Sequence, residues 1–227
     1  MSLVDHVPSN EAAVTANGGA APTPTEPPVV EVKRRTIDAV LIGLGAIVAV
    51  VLFVAGGLLT WGSRFANDYV GKELTAQNIV FPDRAALEQE GRQDLVGYAG
   101  EQVTTGSEAQ VYAGYIAHHL EGVAGGATYA DLGGPERVAK ADVQAATDSG
   151  ASAAKVADLQ AKADGITNQR NTLFKGETLR GLLLSTYAWS TIGRIAGIAA
   201  ITAFVAGAAV LVLVVLGLVH RRKTVPG

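Results

Sequence analysis

The sequence predicts an all-α membrane protein, with two transmembrane helices flanking an extracytoplasmic helical bundle domain. Three observations carry that fold class. Ile195 to Val219 is an apolar run without one charged side chain, longer than the roughly 20 residues that cross a hydrocarbon core of about 30 Å. Ala39 to Leu59 is a second such run near the other end. Between them no stretch alternates Val, Ile and Thr as a sheet requires, whereas apolar residues recur at helical spacing. The expected organisation is a disordered cytoplasmic tail (1–35), a first transmembrane helix (36–61), the extracytoplasmic domain (62–190), a second transmembrane helix (191–220) and a short basic cytoplasmic tail (221–227).

The tail is rich in Ala, Pro, Thr and Glu, and Pro22, Pro24, Pro27 and Pro28 interrupt any helix; such a segment has too little to bury to fold. The first apolar run exceeds the roughly 7–15 residues of a signal-peptide core and follows this long polar tail, so it reads as a retained span. Lys33, Arg34 and Arg35 precede the first span, and Arg221, Arg222 and Lys223 follow the second. Positive charge of this kind stays inside, which places both termini in the cytoplasm and the domain outside. Trp61 and Trp189, at the outer ends of the spans, suit the interface, and Arg64 and Arg194 beside them reach headgroups by snorkelling.

Small residues recur along both spans: Ala39, Gly43, Gly45 and Ala49 in the first, then Gly193, Gly197, Ala199, Ala203 and Gly207. Such faces let helices approach closely. They serve either a partner or self-association, with Gly43, Gly45, Gly193, Gly197 and Gly207 as the docking candidates, or the packing of the two spans on each other.

Ser63 to Gln77 continues the first helix outward with Phe65, Tyr69 and Leu74 as its buried stripe, until Asn78 to Pro82 breaks it. Asp83 to Glu90 is a short helix ended by Gly91, and Arg92 to Val103, weakened by Gly97 and Gly100, is loop or frayed helix. Ser107 with Gln110 has the form of a capping box opening a helix through Val123, with Tyr112, Ile116, Leu120 and Val123 on one face. Gly125 and Gly126 end it. Pro135 suits the first turn of a helix running to about Thr147. A last helix begins near Ala151, and Val156, Leu159, Ala163, Ile166 and Leu173 form a heptad seam in which Arg170 is a polar intruder that must pair or reach solvent. This seam is expected to pack against the Tyr112–Ile116–Leu120 face. No proline follows Pro135 until Pro226, so the helix rises continuously into the second span.

Residues 62–190 hold 11 Lys/Arg against 16 Asp/Glu, net −5, while the remainder is +2. An acidic domain without a basic stripe or interleaved aromatics argues against nucleic acid. The chain has no cysteine, which excludes disulfides and thiolate metal sites. The metal-ligand candidates are His118, His119 and Glu121. Adjacent helical residues point about 100° apart, so the two rings do not share an ion easily. His118 and Glu121 do share a face, but a site needs a third ligand such as Asp131 or Glu101. The structural alternative makes His119 a hydrogen-bonded core or boundary residue beside Tyr112, Tyr115 and Ile116, with His118 in solvent. Thr128, Tyr129 and Asp131 read as a hydroxyl- or Asx-type turn. No phosphate loop or nucleophile elbow occurs, and Ser107 and Ser185 lack a His and acid at motif spacing. No metal or cofactor site and no enzyme activity is expected.

Three stretches, Gln110 to Leu120, Gly125 to Leu132 and Phe174 to Leu183, resemble a family of actinobacterial two-span membrane proteins often labelled aromatic ring-opening dioxygenases. The resemblance covers both spans and most of the domain and implies the same topology. The activity in that label requires two histidines and a carboxylate around one ion, which an adjacent pair does not supply. The expected function is a non-enzymatic accessory or scaffold subunit of a plasma-membrane complex, in contact with lipid and with other membrane subunits or a second copy. A ligand-sensing module acting through a partner is the alternative, and a metal-dependent enzyme the second alternative.

Overall fold

The computed structural model describes residues 34–223. The expected disordered tail lies outside the described residues except for Arg34 and Arg35, as do residues 224–227. Helix α1 spans Arg34–Gln77, 44 residues without a proline, about 66 Å at 1.5 Å per residue. Asn78 ends it in a left-handed conformation (φ 53°). Helix α5 spans Ala153–Lys223, 71 residues, and is about 106 Å long. Both are long and apolar enough to cross a membrane: each contains an 18-residue stretch of mean hydropathy 2.8, of which only 11% and 17% is buried. A core helix of a soluble protein would bury most of such a stretch. Neither helix breaks where its apolar stretch gives way to its more polar part, because no proline interrupts the backbone ladder there.

α5 is the spine on which the other helices pack in succession. Its buried positions, Ala163, Leu173, Leu183, Ser190, Gly193, Ala200, Gly207 and Val214, lie on one stripe that extends the heptad seam into the apolar half. α1 runs antiparallel beside the lower part, from Ile42 against Gly217 to Asn67 against Gly193. The pairing advances one residue for one residue over that length.

From α1 the chain enters a loop closed by Phe81 N donating to Glu101 O (2.9 Å) and Val103 N donating to Ile79 O (2.8 Å). The loop carries α2, Arg84–Gln89, whose N-cap Asp83 accepts from Ala86 N at 2.8 Å. It also carries a 3-10 helix, Gln93–Tyr98. Helix α3 is Gly106–Val123. It packs along α5 with Gly106 against Ser190 and Leu120 against Gly176. Gly125 and Gly126, both at positive φ, turn the chain into α4, Gly133–Asp148, which lies higher on α5 with Gly133 and Glu136 beside Arg170. Among the described residues there is no strand, only the isolated Val80–Gln102 bridge.

The main core joins Val70 and Leu74 of α1, Phe81 and Val103 of the loop neck, Ala109 and Ala113 of α3, and Leu183 of α5. Phe81 is its centre, 5.1 Å from the rings of both Tyr98 and Tyr112. Fully burying such a side chain contributes about 1.5–3 kcal/mol.

Three expectations need correction. The buried stripe of the outer part of α1 is Val70 and Leu74, whereas Phe65 and Tyr69 are 60% and 57% exposed. The close seam against α5 turns Ser63, Ala66 and Asn67 inward, which leaves the two aromatics outside. The capping box of α3 is Thr105 with Glu108, two residues earlier than expected. A carboxylate accepts from both Thr104 N (2.7 Å) and Thr105 N (3.0 Å), a charge-assisted arrangement that Gln110 cannot match. Finally, α3 meets the seam only from Leu173 downward, because its own length ends there. Higher up the seam runs beside α4, where Ala139 and Ala163 are buried.

Candidate functional site

The five glycine docking candidates divide by direction. A Cβ added at Gly45 would stand 2.8 Å from Val214, at Gly193 3.1 Å from Ala66, at Gly197 2.9 Å from Ser63 Oγ, and at Gly207 3.3 Å from Leu52. These four close the contact between α1 and α5 of one chain. Gly43 faces open space, so it alone leaves a shallow place on the outward face.

A different surface emerges just above. Trp61, Phe65 and Tyr69 recur every fourth residue and stack along α1 with ring centroids 5.7 and 6.2 Å apart. Across the α1–α5 seam Phe65 and Tyr69 face Trp189 and Ile192, and the groove between, about 430 Å³, is lined by these four with Ala66 and Ala196. Trp61 and Trp189 are 68% and 59% exposed. The register set by Asn67 against Gly193 puts Trp189 about ten residues, or 15 Å, above Trp61. A headgroup layer is about 5–8 Å deep per leaflet. The two indoles therefore do not stand at one level along the helix pair, contrary to expectation, because Trp61 lies six residues below the Asn67–Gly193 contact and Trp189 four residues above it. Phe65 and Tyr69 were legible as members of an i, i+4 ladder beginning at Trp61; a buried reading of that ladder hid them.

The histidines lie elsewhere on α3. His119 Nδ1 is 3.1 Å from Tyr115 O, its ring centroid is 4.4 Å from the Tyr115 ring, and its Nε2 is 3.6 Å from Glu90 Oε1. The same Glu90 oxygen accepts from Tyr115 Oη at 3.4 Å. Burial, followed by the Glu90 charge, pushes the Tyr115 phenol up to about 12. This is a boundary cluster of one acid, one phenol and one imidazole. His118 stands edge-on to His119 with centroids 6.1 Å apart and is exposed, as is Glu121. No group of three His, Cys, Asp or Glu able to hold an ion occurs among the described residues.

Thr128 N and Oγ1 donate to Asp131 Oδ2 at 2.9 and 2.7 Å, the turn that the sequence suggests. Beyond it lies the only buried charge among the described residues, Glu136. It accepts from Lys140 Nζ (2.7 Å), Thr167 Oγ1 (2.8 Å) and Arg170 Nη1 (2.7 Å). Those three bonds hold its carboxyl down at about 2. Arg170, the polar residue of the seam, also lies 4.0 Å over the Tyr129 ring, so it is paired on two sides. Below this cluster a cleft of about 600 Å³ runs between α3 and α5, with Leu120 and Leu173 at its base and Glu121, Glu177 and Arg180 at its mouth. Glu177 and Arg180 already pair at 3.0 Å.

Fold and site together define an all-helical protein built on two helices long enough and apolar enough to cross a membrane, with an exposed aromatic groove where those helices leave their apolar stretches. No protein-family model, curated protein or solved structure matches the chain.

Proposed function

We propose that this chain is a two-span protein of a bacterial plasma membrane with both termini cytoplasmic, of the actinobacterial kind its sequence resembles. In this reading it is a non-enzymatic accessory or scaffold subunit that docks a membrane partner on its aromatic groove. One observation carries the docking. The Trp61–Phe65–Tyr69 ladder and Trp189 extend over about 15 Å, so lipid headgroups cover its lowest rung and leave the upper rungs to water. A contiguous exposed aromatic patch outside lipid is the mark of a protein contact.

The test places a photo-reactive amino acid at Tyr69 or Ile192, with Val138 of α4 as an equally exposed control. The expected result is one discrete protein adduct in native membranes from the groove positions and none from Val138, lost when Trp189→Ala is introduced. Adducts with lipid alone at Tyr69 and Ile192 would overturn it.

The cleft between α3 and α5 supports a second reading, a ligand-sensing domain acting through the same partner. Its apolar base and charged mouth have the make-up of a small-molecule site. A metal-dependent enzyme has no such support, since His118, His119 and Glu121 converge on no common point.

A further inference from the structure

On the other side of the α1–α5 seam from the aromatic groove lies an amphipathic pocket, and we propose that it binds the phosphate of an outer-leaflet phospholipid through Arg194. The proposal rests on the reading that α1 and α5 cross a membrane.

Depth comes first. Ser63 opposes Gly197 and Asn67 opposes Gly193, and these α1 residues lie about 6 and 12 Å beyond Leu59, where the apolar run of α1 ends. The pocket they border therefore opens in and just above the headgroup layer. Its volume is about 550 Å³, and the first turn of α3 closes it from above. Asn67, Ser107 and Arg194 line its upper part, Ser63 lies at mid-height beside Gly197, and Ile198 and Ile201 line its lower part, 61% and 66% exposed. Polar groups thus face the water side and bare aliphatic groups face the apolar side, the order in which a phospholipid presents its phosphate and its chains.

The cation is held but not neutralised. Arg194 Nη2 donates to Ser107 Oγ at 3.1 Å, and no carboxylate pairs with Arg194 among the described residues. A guanidinium has five N–H donors in a planar fork, so one bond to Ser107 orients it and leaves donors for a bidentate phosphate. The hydroxyls of Ser63 and Ser107 supply both further donors and an uncharged surround. Non-specific attraction of anionic lipid does not explain such a site, because the domain around it has net charge −5. Inorganic phosphate shares the headgroup chemistry but has nothing to place on Ile198 and Ile201, so the lipid is the occupant we infer.

Native mass spectrometry of the full chain in detergent tests this, with phosphatidylglycerol and phosphatidylcholine offered in turn and inorganic phosphate as competitor. Alkaline carbonate extraction of the membranes runs beside it. The expected result is one retained phosphatidylglycerol, its retention falling about tenfold or more in Arg194→Gln, less in Arg194→Lys, and unchanged in Arg64→Gln. Millimolar phosphate should not displace it. Full displacement by phosphate, or wild-type retention in both Arg194 variants, would overturn the site while the membrane reading stood, whereas equal retention of phosphatidylcholine, which carries the same phosphate and chains, would support it. Release of the chain by carbonate would instead overturn the membrane reading, and the site with it. Circular dichroism identifies a variant that has failed to fold, in which case Arg194→Lys decides.

Discussion

Two alanine substitutions in α3 should have opposite signs. Gly106 is the first residue of α3 and Gly114 lies in its interior, where replacing Gly by Ala stabilises a helix by about 0.5–1 kcal/mol on propensity alone. The structure separates them. A Cβ at Gly114 meets nothing within 4 Å, so Gly114→Ala should realise that gain. A Cβ at Gly106 would overlap Ser190 Cβ and stand 3.3 Å from Tyr187 Cα. Those atoms belong to the backbone and first side-chain atom of α5, which cannot swing away as a long side chain would. Relief requires moving the start of α3 off the spine, and overpacking of this kind costs about 1–3 kcal/mol. Gly176→Ala provides an intermediate case, since the atoms it would overlap are the terminal carbons of Leu120, which can turn. Protease resistance of the helical domain between the two apolar stretches, followed across a denaturant series in mild detergent, ranks the three variants. The expected order of stability is Gly114→Ala above wild type, Gly176→Ala below it and Gly106→Ala lowest, with the extremes at least about 1.5 kcal/mol apart. If Gly106→Ala equals or exceeds wild type, the close approach of α3 to α5 is wrong.

Three further outcomes are expected. Because the chain lacks cysteine, single cysteines at Ser149 and Thr25 report topology cleanly: an impermeant thiol reagent should label intact cells at Ser149 alone, and labelling at Thr25 reverses the orientation. The Glu136 carboxyl, held at about 2 against an ordinary 4.5, favours the folded state when ionised. Its contribution is therefore complete above about 4.5 and disappears as pH falls toward 2; thermal unfolding between pH 6 and 2 should show a loss that Glu136→Gln flattens, and identical slopes would refute the linkage. Elemental analysis of untagged protein beside a His118→Ala, His119→Ala double variant should find no stoichiometric transition metal in either. Zinc, iron or copper present only in wild type would restore the enzyme reading.

Much of the helical outline was legible because its signals are local. The apolar runs, the Gly125–Gly126 turn, Pro135 at the start of α4 and the short helix ended by Gly91 each rest on signals within a few residues of themselves. Arg170 was also legible as a residue needing a partner, since a charge in an apolar seam admits few solutions. What it pairs with was not, because Glu136 lies 34 positions away and reaches it only when α4 folds back on α5.

The sequence by itself determined the two long apolar helices, their continuity through the domain and the absence of regular alternation for a sheet, all consequences of composition and period. Only the tertiary structure decided which faces those helices present. Close packing of Gly45 of α1 against α5, and of Gly193, Gly197 and Gly207 of α5 against α1, sets the rotation of both helices about their axes. That rotation turns Val70 and Leu74 inward and leaves Phe65, Tyr69 and Trp189 exposed. Periodicity shows that an aromatic ladder exists on one side of a helix, but whether that side meets the spine or the surroundings depends on the partner helix, and the contact that settles it spans more than a hundred residues of chain.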